Sequence, residues 1–245
     1  ASLLALEEPP VFASAGVVSN ADPVSNVPLG LGAIVSIYGN QLSATPAGFT
    51  NGPLPTMLGT AQVFIGGEFA PLYYASPTLI NFQVPYDIQA DTKQQIVIQQ
   101  GNTLSVPVTV NVAQAQPASF LNTAIAPTAA LAFALRNGGG FVVTPASPAQ
   151  AGDELILYFS GLGSIGPFSA GQIAPDTPTY QTQNPVTVTI GDVAITPDFA
   201  GLAPTFIGLY QVNVRIPAGV PTGPTVPLTV QVLNLTSPTV TISVQ

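Results

Sequence analysis

Neighbouring carboxylates are the first residues in this sequence that suggest chemistry, because such pairs act as general acids and bases or bind cations. Asp153 and Glu154 adjoin each other at the start of a predicted strand. Successive strand residues point to opposite faces, so this pair cannot easily share a substrate, and we expect a solvated strand start. Asp87 and Asp91 share a predicted loop, but two carboxylates are few ligands for calcium. The sequence therefore predicts no metal site.

Nucleophilic catalysis lacks a base in this sequence. The chain contains neither histidine nor cysteine, which removes the commonest general base, the thiol nucleophile and any disulfide. Lys93 is the only lysine, and no Ser-x-x-Lys spacing accompanies it. The glycine-rich stretch at residues 161–166 contains no lysine and leads into Pro167 and Phe168 instead of a helix, which indicates a turn and not a phosphate loop. We predict no enzyme, no catalytic residue and no cofactor.

Aromatic residues offer a binding site instead. Tyr73, Tyr74 and Tyr86 are candidates for a platform that stacks against sugar rings, whereas nearby Phe82 fits the pattern of a core residue. Asn234 lies in an Asn-Leu-Thr sequon and is a candidate for glycosylation.

The composition excludes several classes of partner. Only 6% of the residues are charged and the net charge is -8, so a phosphate backbone would be repelled and we predict no nucleic-acid binding. Hydrophobic residues make up 47% of the chain, but no apolar run approaches the roughly 20 residues that a spanning helix needs. We predict no membrane span. The sequence begins at Ala1 without methionine, which fits a processed protein that is secreted, extracellular or on the cell surface.

Short β-rich runs bounded by Pro, Gly, Asn and Ser are typical of an all-β sandwich. Val186, Val188 and Ile190 alternate with threonine, which predicts a core face and a solvent face. Gly66-Gly67 and Gly191-Asp192 read as hairpin turns. The predicted strands cover residues 33–38, 61–65, 96–99, 106–112, 155–159, 186–190, 210–216, 228–232 and 239–244. We expect little helix.

An internal repeat organises these strands, since segments of the first half recur in the same order in the second. The matched stretches are 32–39 with 152–159, 63–71 with 188–197, 80–85 with 210–217, and 106–112 with 239–244. We therefore predict an N-terminal extension at residues 1–15 and two tandem immunoglobulin-like β-sandwich domains at 16–115 and 116–245. The Ala-Gln-Ala-Gln-Pro linker between them, residues 113–117, is a predicted hinge.

The sequence also resembles a known family, the uncharacterised tandem Ig-like C-terminal domains of acidobacterial-type secreted proteins. The stretches that carry the resemblance are Gly-Val-Val-Ser-Asn-Ala from Gly16, residues 32–39, Pro-Leu-Pro from Pro53, residues 76–85, Gly-Leu-Gly from Gly161, residues 199–204 and residues 208–217. The resemblance covers about Gly16 to Val244. It implies sandwich domains and an extracellular setting, and it implies no catalytic residue. Because no large domain precedes the pair in this sequence, we expect the pair to act by itself or by assembling.

The N-terminal segment suggests how it would assemble. Leu3, Leu4, Leu6, Val11 and Phe12 would form an exposed apolar patch unless a partner covers them. They can form a terminal strand on the chain's own sandwich, or add a strand to the next copy by β-augmentation. A head-to-tail contact of the second kind does not close and generates a fibre. The sequence thus predicts a homopolymeric extracellular filament or pilus-like fibre, with a monomeric adhesion or glycan-binding module as the alternative.

Overall fold

Strands and their connections make up the described chain, which covers residues 8–245 of a computed structural model. No helix occurs within those residues, so the predicted all-β fold with little helix is confirmed. The N-terminal half, residues 8–113, contains β1 (Val11–Ser19), β2 (Leu29–Gly30), β3 (Ile34–Asn40), β4 (Ala47–Gly48), β5 (Ala61–Ile65), β6 (Glu68–Phe69), β7 (Leu72–Ala75), β8 (Leu79–Gln83), β9 (Thr92–Gln100), β10 (Thr103–Leu104) and β11 (Val108–Ala113).

The C-terminal half, residues 114–245, is built in the same way. Its strands are β12 (Ala118–Ser119), β13 (Ala132–Arg136), β14 (Gly139–Val142), β15 (Glu154–Ser160), β16 (Val186–Ile190), β17 (Val193–Ile195), β18 (Phe199–Leu202), β19 (Tyr210–Arg215), β20 (Gly223–Val232), β21 (Leu235–Thr236) and β22 (Val240–Val244).

Each half is a sandwich of two sheets. The N-terminal half has one sheet in the order β1-β3-β8-β7-β4 and a second in the order β2-β11-β9-β5-β6, with β10 beside β9. The C-terminal half has β14-β13-β15-β19-β18 with β12 beside β15, and β17-β16-β20-β21 with β22 beside β20. The matched segments of the sequence repeat occupy equivalent places, since β3, β5, β8 and β11 correspond to β15, β16, β19 and β22. The domain boundaries at residues 15 and 115 stay predictions.

Alternation along the strands builds one apolar core in each half. In β16, Val186, Val188 and Ile190 are buried and the threonines between them are half-buried, as the period-two pattern predicts. Phe82 is fully buried between the N-terminal sheets, which confirms its assignment to the core. Gly66-Gly67 joins β5 to β6 as the predicted hairpin turn, with both glycines at positive φ as a tight turn requires. Gly191-Asp192 forms the predicted hairpin turn between β16 and β17, with Gly191 at positive φ.

The two halves meet at a junction held by hydrogen bonds from several loops. The Ile34 amide donates to the Ser160 hydroxyl at 3.1 Å, and the Leu54 amide donates to the Gly171 carbonyl at 2.8 Å. Gln83 is buried and accepts from the Gly171 amide at 2.7 Å through its side-chain oxygen. These hydrogen bonds join the two halves at residues far from 113–117 in the sequence. The predicted hinge is therefore not the only connection between the halves.

Tyrosine hydroxyls fill the centre of this junction. The fully buried Tyr210 donates to the Gly163 carbonyl at 2.5 Å, and its hydroxyl oxygen lies 3.4 Å from that of Tyr86. Gln83 donates through its side-chain nitrogen to the Tyr86 hydroxyl at 3.2 Å. Gly32 packs directly against both tyrosine rings, at φ 73°, and a Cβ there would overlap them. The junction therefore depends on a residue without a side chain at position 32.

We expect Gly32→Ala to destabilise the protein by at least ~2 kcal/mol more than Gly152→Ala. Gly152 is the matched control, because it occupies the equivalent place in the repeat, also has positive φ at 92°, and has open space where a Cβ would stand. Gly152→Ala should lower the free energy of unfolding only by the backbone strain of a side chain at positive φ, about 1–2 kcal/mol. Urea unfolding of both variants measures the difference, and equal losses would contradict the proposed role of the junction packing.

Alkaline pH should also weaken the junction. Burial raises the pKa of Tyr210 well above its ordinary value of 10.0 and raises that of Tyr86 to about 12. A raised folded-state pKa means that the stability from these neutral phenols is complete below about pH 10 and is lost as the pH rises further. Ultraviolet titration should therefore show the junction tyrosines Tyr86 and Tyr210 ionising only well above pH 10, together with a fall in stability. Uniform ionisation near pH 10 in the folded protein would contradict this result.

Candidate functional site

A groove runs along one side of the junction, and both halves contribute to its walls. Its volume is about 480 Å³, and its apolar lining comes from Ile34, Phe49 and Tyr73 of the N-terminal half and Ile173, Phe206 and Leu209 of the C-terminal half. We call it the junction groove. Asn51 and Thr205 add polar groups at its margin. A concave, largely apolar surface with a few polar groups is the ordinary form of a ligand site in proteins.

A β-bulge places two consecutive tyrosines on the outer side of the sheet. Leu72 pairs with Phe82 and Tyr74 pairs with Asn81, so β7 has one extra residue at Tyr73. Leu72 and Ala75 are both fully buried in the core, whereas Tyr73 and Tyr74 are half-buried. A regular strand would have turned one of the two tyrosines inward.

Tyr73 forms part of the groove with its ring fixed. Its hydroxyl donates to the Ile207 carbonyl of the other half at 2.6 Å. Burial, together with the neighbouring Tyr86, raises the pKa of Tyr73, so the phenol stays neutral at any physiological pH. The ring therefore serves as a rigid wall, and its hydroxyl is occupied by the protein itself.

Phe206 is the most exposed aromatic residue of the groove. Its side chain is 52% exposed, although large apolar side chains usually turn inward. Backbone hydrogen bonds hold the loop on which it stands: the Ala174 amide donates to the Phe206 carbonyl at 2.9 Å, and the Thr205 amide donates to the Ala174 carbonyl at 2.8 Å. The exposed ring is thus presented by an ordered loop.

The loop before Phe206 is also strained. Thr205 has φ 67°, a left-handed conformation that a β-branched residue rarely adopts. Such strain costs on the order of 1–3 kcal/mol and persists where the surrounding structure enforces it, often at binding sites. Here the strained turn places Phe206 in the lining of the groove, to which Phe49 of the other half also contributes.

The groove is electrically neutral, since no Lys, Arg, Asp or Glu is among its lining residues. The cations of the C-terminal half lie elsewhere, at the end that is remote from the junction. There Arg136 binds Asp153 with two hydrogen bonds, from its ε-nitrogen at 2.8 Å and an η-nitrogen at 2.6 Å. Arg215 lies nearby, 3.7 Å from Glu154. Charge is therefore kept away from the groove.

The expectation of a solvated strand start at residues 153 and 154 is wrong for Asp153. This carboxylate is buried, and the hydrogen bonds of Arg136 lower its pKa below the ordinary value of 3.8. The adjacent Glu154 is half-buried and accepts from the Asn213 amide at 3.0 Å. The pair is structural, and the sequence could not show that Arg136, on another strand, reaches Asp153.

The three tyrosines predicted as one platform are not brought together. Tyr73 and Tyr74 share the outer side of their sheet, but Tyr86 follows β8 into the junction and lines a separate groove of about 290 Å³ with Phe69 and Phe168. The Tyr86 hydroxyl is bound inside the junction by Gln83. Tyr86 is separated from Tyr73 and Tyr74 because it packs against residues of the C-terminal half, such as Tyr210 and Phe168.

The predicted subunit-interface residues divide into two groups. Leu3, Leu4 and Leu6 lie outside the described residues. Val11 and Phe12 pair with Asn40 and Gly39 of β3, and Phe12 packs against the N-terminal core. These two residues therefore form a terminal strand on the chain's own sandwich, which was one of the two arrangements predicted.

The remaining candidates are placed as follows. Asn234 is exposed in the turn between β20 and β21, where a glycan could be attached. Asp91 accepts from the Gln114 amide at 3.2 Å. Within residues 8–245 no group of three or more acidic, His or Cys side chains is placed to hold a metal ion. The same residues contain no helix that is long and apolar enough to cross a membrane.

Sequence reasoning missed Phe49, Asn51 and Phe206 as site residues. The signal for Phe206 was available, because an aromatic residue within the turn-forming Ala-Pro-Thr-Phe-Ile-Gly stretch has no strand to bury it. Nothing in the sequence indicates that Phe49 lines the same groove as Phe206, since the groove arises from the packing of the two halves.

Comparisons with known proteins give limited information. No protein-family model matches the chain, and no curated protein matches it. A surface glycan-binding protein of Prevotella bryantii is 11% identical with a TM-score of 0.31, covering 96% of this chain and 41% of that chain. SGBP-B of the Bacteroides ovatus mixed-linkage glucan utilization locus, in complex with a mixed-linkage heptasaccharide, is 14% identical with a TM-score of 0.36, covering 91% and 46%.

Domains 5–6 of the S-layer protein SbsC are 17% identical with a TM-score of 0.21, covering 96% of this chain and 98% of that fragment. This chain spans less than half the length of the two glycan-binding proteins. At these TM-scores the likenesses carry no argument about what the chain binds.

Proposed function

We propose that this chain is a non-catalytic, extracellular or cell-surface module that binds a neutral glycan in the junction groove. The observation that carries the proposal is the exposed ring of Phe206, held on a strained and hydrogen-bonded loop beside Phe49 and Tyr73. An aromatic face carries partial negative charge and attracts the polarised C–H groups of a sugar ring. Asn51 and Thr205 can exchange hydrogen bonds with sugar hydroxyls at the margin.

Electrostatics favour an uncharged glycan. None of the described residues that line the groove is Lys, Arg, Asp or Glu, and the chain as a whole carries a net charge of -8, which repels anionic sugars. The absence of histidine and cysteine from the sequence agrees with binding without turnover. A surface location and the predicted membership of the tandem Ig-like family are parts of the same proposal.

Phe206→Ala should lower the affinity for the glycan by at least about tenfold, because it removes an exposed anchor without opening the core. The matched control is Phe69→Ala, since Phe69 is 46% exposed and lies outside the junction groove. A glycan array selects the ligand, and calorimetry with both variants measures affinity. Equal binding by Phe206→Ala and the parent, or no glycan bound by the parent, would overturn the proposal.

A filament subunit is the second candidate function, and the placement of β1 and β14 favours it. The junction lies at the Ile34 end of β3, while Val11 pairs with Asn40 at the opposite end. Glu8 accepts a hydrogen bond from Gln41, so the first described residues also lie at the end of β3 that is remote from the junction. The remote end of the C-terminal half has an edge strand, β14, which pairs only with β13 within the described residues. An apolar segment of one copy could add to β14 of the next.

The opposite arrangement, in which β1 accepts a strand, is disfavoured by the structure. The register of β1 against β3 shifts between Phe12 and Val17, and such irregularities protect edge strands from pairing. β14 has no such protection: its sequence is Gly-Gly-Phe-Val, without a charged residue.

Electron microscopy of the full chain beside a version lacking residues 1–7 tests this second candidate. The truncation stops before the residues that pair within the chain's own sheet. Val142→Lys places a charge on β14 and should also prevent filaments, whereas Val106→Lys, at an exposed site of the other half, should not. Monodisperse particles from the concentrated full chain would reject the filament, and filaments from Val142→Lys would reject β14 as the acceptor.

A further inference from the structure

The outer face of the first N-terminal sheet continues the junction groove. Ile34 lines the groove, and the next outward residues of the same strand β3 are Ser36 and Tyr38. Ser36 pairs with Asn81 of β8, which in turn pairs with Tyr74 of β7. We call the surface formed by Tyr38, Tyr74, Leu79 and Asn81 around the buried Ser36 the Tyr38 face. From Ile34 to Tyr38 it extends about 14 Å along the strand.

An unused hydrogen-bond donor lies in the middle of the Tyr38 face. Asn81 accepts from the Ser36 hydroxyl at 3.0 Å through its side-chain oxygen, and Asn20 donates to that same hydroxyl at 3.2 Å. These bonds fix the Asn81 amide in orientation. Its nitrogen has no protein partner within residues 8–245. A fixed donor between two tyrosines can bind a hydroxyl group at little cost in conformational entropy.

The equivalent face of the C-terminal half has no free hydrogen-bonding group at the position that corresponds to Asn81. Asn213 is the counterpart of Asn81 in the repeat, but its amide donates to Glu154 at 3.0 Å and its oxygen accepts from Gln211 at 2.7 Å. Both polar atoms of Asn213 are therefore used within the protein. The fold is shared by the two halves, so the free donor of Asn81 is a property of its own half.

The tyrosines of the two faces differ in the same way. Tyr158 is the counterpart of Tyr38, and Phe133 packs edge-on against its ring at 6.0 Å between centroids. Tyr158 is half-buried, whereas Tyr38 is 54% exposed. In the N-terminal half no aromatic ring within the described residues packs against Tyr38. Its face is available to a ligand.

The strands beneath the Tyr38 face restrict the kind of ligand. β3, β8 and β7 each have a neighbouring strand on both sides, so their backbone groups are already paired. An extended peptide would find no strand edge here and would leave its own amides without partners. Only uncharged side chains are available to a ligand here, namely the tyrosine rings and the Asn81 amide. Sugar rings, with apolar C–H faces and hydroxyl edges, match that set.

We propose that the junction groove and the Tyr38 face form one continuous site for an extended, uncharged oligosaccharide. The inference rests on the proposed glycan-binding function. One sugar unit stacks on Phe206 in the groove. Later units pass over Tyr74, accept a hydrogen bond from the side-chain nitrogen of Asn81 and reach Tyr38. The ligand is therefore a linear oligosaccharide of several units and not a single sugar.

Oligosaccharides of different length test whether the site extends from the groove over the Tyr38 face. They are prepared from the neutral glycan selected on the array. Calorimetry compares its disaccharide with its hexasaccharide, using the parent and Tyr38→Ala. We expect the parent to bind the hexasaccharide at least about tenfold more tightly. Tyr38→Ala should remove most of that gain and leave disaccharide binding unchanged. Tyr158→Ala is the matched control at the equivalent face of the C-terminal half and should bind both ligands as the parent does.

The outcomes separate the extension from the proposed function. Equal affinity of the parent for both lengths, or equal hexasaccharide binding by Tyr38→Ala and Tyr158→Ala, would overturn the extension. The proposal that the junction groove binds a glycan would still be supported if Phe206→Ala weakened the binding of the disaccharide. Loss of disaccharide binding in Tyr38→Ala would also contradict the extension, because it would place the first sugar on the Tyr38 face. Thermal unfolding of each variant confirms that the fold is intact.

Discussion

The hydroxyl of Tyr210 is the interaction on which the arrangement of the two halves depends. It is fully buried, donates to the Gly163 carbonyl and lies against Tyr86, while Gly32 leaves the space that both rings occupy. A buried hydroxyl without a partner would cost about 1–3 kcal/mol, so the junction must close around this group with correct geometry. Because the walls of the groove come from both halves, the same closure fixes the shape of the binding site.

The scarcity of charge has a structural use. With 6% charged residues, the chain places Arg136 and Asp153 in one bidentate pair, and no Lys, Arg, Asp or Glu among the described residues lines the groove or the Tyr38 face. Recognition then relies on aromatic surface and neutral hydrogen bonds, which suits a ligand that is itself uncharged. The chain stays acidic overall, and this disfavours polyanionic ligands at long range.

The two sandwiches have matching strand orders but present faces with different properties. The strands, their order and the hairpin turns are shared, but Asn213 and Tyr158 are satisfied by neighbours while Asn81 and Tyr38 are open. A few substitutions on outward positions are enough for this difference, since outward residues do not affect the core. The bulge at Tyr73 adds a second tyrosine to the open face without disturbing Leu72 and Ala75 beneath it.

The sequence by itself determined the elements that depend on local rules. Alternation predicted the core face of β16, paired turn residues predicted the hairpins at Gly66 and Gly191, and recurring segments predicted matched sandwiches. Only the tertiary structure shows that Tyr86 turns into the junction, that Asp153 pairs with Arg136, and that Phe49 and Phe206 line one groove. Each of these depends on contacts between residues distant in the chain, and periodicity within one strand carries no information about them.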